Sequence, residues 1–210
     1  MYLELVDSLR CVRPHEDSWL VARADEMEGR HIVRGELGCP ICAARYQVRA
    51  GVVDFAAGAS RPRAVGAEQD LALRAAALLG LAEPGGIVVL AGEWSACANE
   101  LLALTDGVQL LALDYARGLE SGGALSLALI GDVIPLAAQS ARGIALDLEH
   151  STGSQLAGAA LALVPGGRLI GPASAPVPPM LQELARDERN WVAAKSASPV
   201  SAPVAIESRR

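Results

Sequence analysis

The stretch Ile87-Val-Val-Leu-Ala-Gly-Glu-Trp-Ser-Ala-Cys-Ala-Asn-Glu-Leu-Leu102 decides the fold. Its first five residues are apolar, largely β-branched and too few for a helix, so they read as a short buried strand. A turn with one glycine, Gly92, ends the run, and an amphipathic helix over residues 95–104 follows, with Ser95 as its candidate cap. Nucleotide-type sites of α/β proteins begin in this way, because a Cβ in the turn would meet the ligand or forbid the turn's dihedrals. Here Trp94 and Ala96 stand where further glycines are expected. Whether this turn still holds a ligand decides whether the protein is an enzyme.

Strand and helix patterns alternate on either side. A helix is expected over residues 68–81, with apolar Leu71, Leu73, Ala76, Leu78 and Leu79 on one stripe. Further strands are expected at 108–113, ending in Asp114, at 124–130, followed by Gly131-Asp132, at 143–148, enclosing Asp147, and at 168–171. Helices are expected at 156–163, closed by Pro165-Gly-Gly167, and at 178–187. Two last strands, 191–195 and 204–207, would form a closing antiparallel hairpin. Strands alternating with helices make a parallel, doubly wound, Rossmann-like sheet.

The chain has 210 residues, room for one ordinary domain and a small module. Half of it is apolar, but three Trp, three Tyr and one Phe mean that the core is built from Ala, Leu, Val and Ile. A net charge of −6 opposes general nucleic-acid binding, which needs a basic face, although Arg45, Arg49, Arg61 and Arg63 form a local basic candidate. Early acids and the lack of a long apolar core make the N-terminus unlike a signal peptide, and no window is long enough to span a bilayer. The expectation is a cytoplasmic protein.

Three of the four cysteines, Cys11, Cys39 and Cys42, fall early, which in a reducing compartment points to metal rather than disulfides. Cys39-Pro-Ile-Cys42 is a C-x2-C knuckle and Cys11-Val-Arg-Pro-His15 a C-x3-H. The intervening sequence, around Trp19 to Ala24 and Arg30 to Leu37, alternates as a small hairpin. Knuckle, hairpin, knuckle is the layout of a zinc ribbon, with Cys11, His15, Cys39 and Cys42 as tetrahedral ligands. His31 and Asp17 are alternative fourth ligands.

These residues carry a resemblance. Leu5-Val-Asp-Ser-Leu-Arg-Cys11 and Gly35-Glu-Leu-Gly-Cys-Pro-Ile-Cys-Ala-Ala-Arg-Tyr-Gln-Val-Arg-Ala-Gly-Val-Val-Asp-Phe55 resemble the Trm112-like zinc-ribbon family. In the first knuckle His15, one spacer further on, replaces the usual second cysteine. The resemblance implies a module, residues 1–57, that binds and stabilises methyltransferase domains by pairing a strand edge. A Gly/Ala/Pro-rich linker at 58–66 follows, read as a solvated tether with an anion contact by Arg61 or Arg63 as the alternative. The rest, 67–210, resembles class I S-adenosylmethionine-dependent methyltransferases through Glu83-Pro-Gly-Gly-Ile-Val-Val-Leu-Ala-Gly92, Leu111-Ala-Leu-Asp114, Ile130-Gly-Asp-Val-Ile-Pro-Leu136 and Leu161-Ala-Leu-Val-Pro-Gly-Gly-Arg-Leu-Ile170.

That second resemblance implies a cofactor site. Gly92 would give the cofactor room, Asp114 would bind the ribose hydroxyls, Asp132 would reach the adenine edge, and Glu93 would meet the amino group. Trp94 either stacks on a ligand or closes a disused pocket. No catalytic signature is present: His150 is a candidate general base, Cys97 is expected to pack in its helix, and Ser151 and Ser154 are candidate caps. Three functions follow: a degenerate, zinc-stabilised scaffold or binding module, with a protein partner through a strand edge; an active methyltransferase using S-adenosylmethionine; or a binder of another nucleotide or metabolite in the same crevice.

Overall fold

A computed structural model describes residues 1–66 and 68–196. The strands are β1 (Val21–Glu28), β2 (His31–Gly38), β3 (Arg45–Arg49), β4 (Val52–Asp54), β5 (Ile87–Ala91), β6 (Gln109–Leu113), β7 (Leu125–Leu129), β8 (Ala141–Ala145), β9 (Leu163–Pro172), β10 (Leu181–Arg186) and β11 (Asn190–Lys195). The α-helices are α1 (Leu71–Leu79), α2 (Ala98–Leu104) and α3 (Gly153–Ala162). The eleven strands among the described residues lie in one sheet, in the order β1-β2-β3-β4-β7-β6-β5-β8-β9-β11-β10.

The stretch β7-β6-β5-β8-β9 is parallel. Numbered within this half, its order is 3-2-1-4-5, the doubly wound arrangement whose switch point lies between the first and fourth strands, here β5 and β8. Strands such as Ile87–Ala91 and Gln109–Leu113 are uncharged and buried almost throughout, as a sheet covered on both faces requires.

β1 to β4 form an antiparallel meander of the N-terminal module. Its last strand does not end the sheet. β4 pairs in parallel with β7, Val52 opposite Leu127, Val53 opposite Ala128 and Asp54 opposite Leu129. The two cores also merge: Leu5, Leu9, Val48, Val53 and Phe55 belong to the same apolar cluster as Val89, Leu111, Ile134 and Ile144. A 3-10 turn, Leu3–Ser8, precedes a chain crossing where the Arg10 N–H donates to Pro135 O and the Ala137 N–H to Ser8 O.

Several expectations need correction. Residues 178–187 contain strand β10, not a helix. Gln182-Glu-Leu-Ala-Arg186 has helix-forming residues, but pairing with β11 overrides that weak preference. The closing hairpin is therefore β10–β11, one element earlier than expected; the expected strand at 204–207 lies outside the described residues. Asp147 sits beyond the end of β8 rather than within it. Pro165-Gly-Gly167 lies inside β9, where α3 has already ended. Ser151 and Ser154 do not cap α3; Thr152 does, in a capping box with Gln155. Ser95 is not a cap either, because Gly92–Cys97 is a 3-10 turn. Its hydroxyl donates to Gly92 O (2.6 Å) and accepts from the Ala116 N–H (2.7 Å), tying the turn to the end of β6.

The linker is laid against the second module. The Arg63 N–H donates to Tyr115 O, and the Arg117 N–H donates to Arg63 O. Because ribbon and doubly wound sheet share a ladder and a core, they should unfold together. Val53, fully buried at the junction, tests this. Val53→Ala should cost about 2 kcal/mol while denaturant unfolding, followed by tryptophan fluorescence and far-UV circular dichroism, stays a single coincident transition. Two separated transitions would show independent modules.

Candidate functional site

The crevice lies at the carboxyl ends of β5, β6 and β8. Gly92 follows β5 with φ +57°, a conformation that favours glycine. A Cβ there would sit 1.9 Å from Asp147 Oδ2 and 2.9 Å from His150 Nδ1. The room that this glycine makes is filled by the chain itself.

Asp147, His150 and Asp114 form a buried line of charge. His150 Nδ1–H donates to Asp147 Oδ1 at 2.6 Å, and its Nε2–H donates to Asp114 Oδ2 at 3.0 Å. Asp147 Oδ1 also accepts the His150 backbone N–H, and Oδ2 accepts the Glu93 N–H at 3.0 Å. The second oxygen of Asp114 accepts the Ile130 N–H (2.9 Å) and the Ser60 hydroxyl (2.5 Å). Arg63 closes the outer side, paired with Glu149 and 3.8 Å from Asp147. The linker thus straps the crevice at Ser60 and Arg63, and is no free tether.

His150 is 4% exposed. Burial pulls its pKa down, but the hydrogen bonds to Asp114 and Asp147 and their charges outweigh that and raise it to about 9. Burial raises the Asp147 pKa, yet bonds from His150 and the Glu93 N–H leave it below its ordinary value. Two acceptors, one on each ring nitrogen, call for the doubly protonated imidazolium. A ring protonated on both nitrogens has no lone pair with which to take a proton.

The other candidates divide. Gly92, Asp114 and His150 meet in the network, and Glu93 joins it through its backbone. Asp132 is exposed in the loop after β7, away from these bonds. Trp94 is 5% exposed and belongs to the apolar cluster of Ala72, Leu90, Leu101 and Tyr115. It also walls a cavity of about 390 Å³ beside the network, facing Leu71, Arg74, Leu148 and Pro172. Cys97 is buried as expected, which pushes its thiol up to about 12. Asp147, Ser60 and Arg63 were not singled out as partners of this site. The Asp147-x-x-His150 spacing is the signal the sequence offers, and reading Asp147 as a strand residue hides it.

In the ribbon, ligand atoms of Cys11, His15, Cys39 and Cys42 all lie within 4.8 Å of one another. Cys11 Sγ is 3.6 Å from Cys42 Sγ, and Cys39 Sγ is 3.4 Å from His15 Nε2. Tetrahedral bonds of about 2.3 Å to sulfur and about 2.0 Å to nitrogen give edges of about 3.8 and 3.5 Å, so this donor set fits such an ion. His15 Nδ1–H donates to Glu16 O at 2.5 Å, which leaves Nε2 free to ligate. Burial opposes ionisation of Cys39, but the backbone N–H groups of Cys42 and Ile41 and the Ser18 hydroxyl bring its pKa down to about 6. His31 is elsewhere, bonded to Gly123 O at 2.8 Å, and Asp17 is outside the cluster. Four protein ligands leave no open position, the mark of a structural rather than a catalytic centre.

No sequence-family profile and no curated protein matches the chain. Solved structures with similar folds include a chain from the complex of the Haloferax volcanii Trm112 methyltransferase activator with a candidate methyltransferase. It is 24% identical, with a TM-score of 0.40, over 48% of this chain and 50% of that one. A candidate S-adenosyl-L-methionine-dependent methyltransferase from Methanococcus maripaludis is 11% identical (TM-score 0.45; 63% of this chain, 86% of that one). An S-adenosyl-L-methionine methyl transferase from Silicibacter pomeroyi is 16% identical (TM-score 0.42; 62% and 99%). The chain spans half the length of the Haloferax chain. No helix among the described residues is long and apolar enough to cross a membrane.

The network makes a signed prediction. His150 has a raised folded pKa, so its contribution is complete below its unfolded pKa of about 6.5 and is lost as pH rises through about 9. The change is about 3 kcal/mol at most for a shift of this size. The melting temperature should therefore fall between pH 6.5 and 9. His150→Ala should remove most of that slope and cost roughly 3–5 kcal/mol at neutral pH, because two buried carboxylates lose their cation. An unchanged slope in the variant would refute the charged network.

Proposed function

We propose that this protein is a scaffold with a methyltransferase-like fold, its cofactor crevice closed by its own residues and its N-terminal ribbon held by zinc. The observation that carries this reading is the filled space at Gly92. The carboxylate of Asp147 and the ring of His150 stand where a ligand would have to approach that turn. Asp114, the carboxylate suited to a vicinal diol, already accepts from His150, Ser60 and the Ile130 N–H. A cofactor binding there would compete with the His150 ring and the Ser60 hydroxyl for its oxygens.

The zinc part rests on the Cys11, His15, Cys39 and Cys42 donor set. When bound, the ion supplies cross-linking rather than reactivity. It fixes both knuckles around the turn in which the Ala43 N–H donates to Cys39 O. Tyr46, whose hydroxyl lies 3.1 Å from Cys11 Sγ, orients that sulfur and rests on Phe55 in the shared core. Metal binding thereby supports the β4–β7 junction from below. The edge that a Trm112-like ribbon would offer to a separate partner is taken here by β7 of the same chain. Among the described residues, the strands at the ends of the sheet are β1 and β10.

Two measurements test the reading. Calorimetry of the full chain with S-adenosylmethionine should show no binding tighter than about 1 mM; micromolar binding that disappears in Asp114→Ala would overturn the closed crevice. Metal analysis should find about one zinc per chain, as a four-ligand site demands. Cys39→Ser should lose the zinc and melt at lower temperature. A well-folded, zinc-free wild type would refute the metal.

A further inference from the structure

The outer surface of α1 and α2 lies away from the ribbon and from the Asp147–His150–Asp114 network, and meets the cavity beside that network at Glu68 and Leu71. The two helices approach closely because α1 turns Ala72 and Ala75 inward, packed with Ala98 and Leu101 of α2. Close approach of small residues leaves an open furrow on the solvent side. It is a groove of about 400 Å³ with Leu71, Leu73, Ala96, Ala103 and Leu104 along it. Two of these are held out in water: Leu73 is 56% exposed and Leu104 52%. Exposed leucines on opposite walls of one groove form a contiguous apolar strip, which scattered surface leucines do not.

The rim has one sign. Glu68, Asp70 and Glu100 stand around the strip, and among the described residues no Lys or Arg lines it. Glu68 pairs with Arg189; among the described residues Asp70 and Glu100 have no ion-pair partner. An apolar furrow between two helices, edged by unpaired carboxylates, fits one kind of occupant: a third helix with an apolar stripe and basic flanks. An anionic membrane surface would be repelled by the same carboxylates. A second copy would bring its own acidic rim against this one, on a chain of net charge −6.

We propose that the α1–α2 groove is a docking site for a basic amphipathic helix of a partner protein. Its leucine strip takes the partner's apolar stripe, and Asp70 and Glu100 receive the flanking Lys or Arg. This goes beyond the scaffold reading and does not require the crevice to be closed. The probe is a fluorescein-labelled peptide of about 18 residues, with Leu at every third or fourth position and Lys elsewhere. Its anisotropy is titrated with the full chain.

Binding on the order of 10 µM is expected, weakening as salt rises. Leu73→Asp, Leu104→Asp and Glu100→Lys, all at exposed positions whose circular dichroism should match wild type, should each weaken it about tenfold or more. The same peptide with Glu in place of Lys should not bind. Equal binding of the two peptides, or wild-type affinity in Leu73→Asp and Leu104→Asp, would overturn the proposal. So would a wild-type dimer in sedimentation that Leu104→Asp converts to monomer, which would give the groove to a second copy. A chain ending at Ser196 that binds the peptide about tenfold tighter would give it to the protein's own C-terminal segment.

Discussion

The imidazolium of His150 between two buried carboxylates is the interaction on which the site's shape depends. Asp114 ends β6, Asp147 follows β8, and the turn after β5 contributes the Glu93 N–H. Three strand ends at the switch point are thus tied by one ring. A buried ion set of this kind adds little net stability over an apolar filling, because desolvation offsets most of the attraction. What it does supply is an asymmetric cost: removing one member leaves the others charged and unpaired. The arrangement is therefore fixed in geometry more than it is favourable in energy, and the loops around it are fixed with it.

The second constraint is the shared ladder between β4 and β7. A short strand such as Val52–Asp54 has little to hold it at a sheet edge; buried between β3 and β7 it becomes interior. The pairing also explains how the ribbon's apolar residues are covered. Leu5, Leu9 and Val48 share a cluster with β5, β6 and α3 rather than forming a core of their own, which a module of this size makes only marginally. Tyr46, beside the Cys/His cluster, and Phe55, in the shared core, lie 4.7 Å apart by ring centroids, so an ion held by that cluster would reinforce the sheet pairing.

Much of this was legible in the sequence. The two knuckles are readable from spacing, because ligand spacing is a local property, but the choice of His15 over His31 and Asp17 as the fourth neighbour is made by the fold. The parallel strands followed from short uncharged runs between turns. What failed was decided at long range. Residues 181–186 look helical in isolation and become a strand only because β11 lies beside them. Pro165-Gly-Gly167 looks like a stop and instead bends within β9. The linker's small residues read as a tether, although Ser60 and Arg63 find partners 54 and 86 residues away. Side-chain pairs at such separations leave no periodic trace, and the most consequential of them, Asp114 with His150, is of the same kind.

The turn at Gly92 gains its meaning from these distant pairs. A glycine there is ordinarily a sign that something approaches the backbone, and something does: Asp147 Oδ2. The glycine is thus accounted for without a cofactor, and its presence in the sequence does not by itself argue for one. Trp94, by contrast, sits in the apolar cluster under α1 and α2 and does not plug the network. Replacing it with glycine would empty a core position and leave Asp147 and His150 where they are. On the scaffold reading, opening the crevice would require the ring of His150 to leave, Asp147 to turn, and the strap at Ser60 and Arg63 to lift. The groups packed around the turn come from the loop after β8 and from the linker, whereas Trp94 belongs to the apolar cluster of α1 and α2.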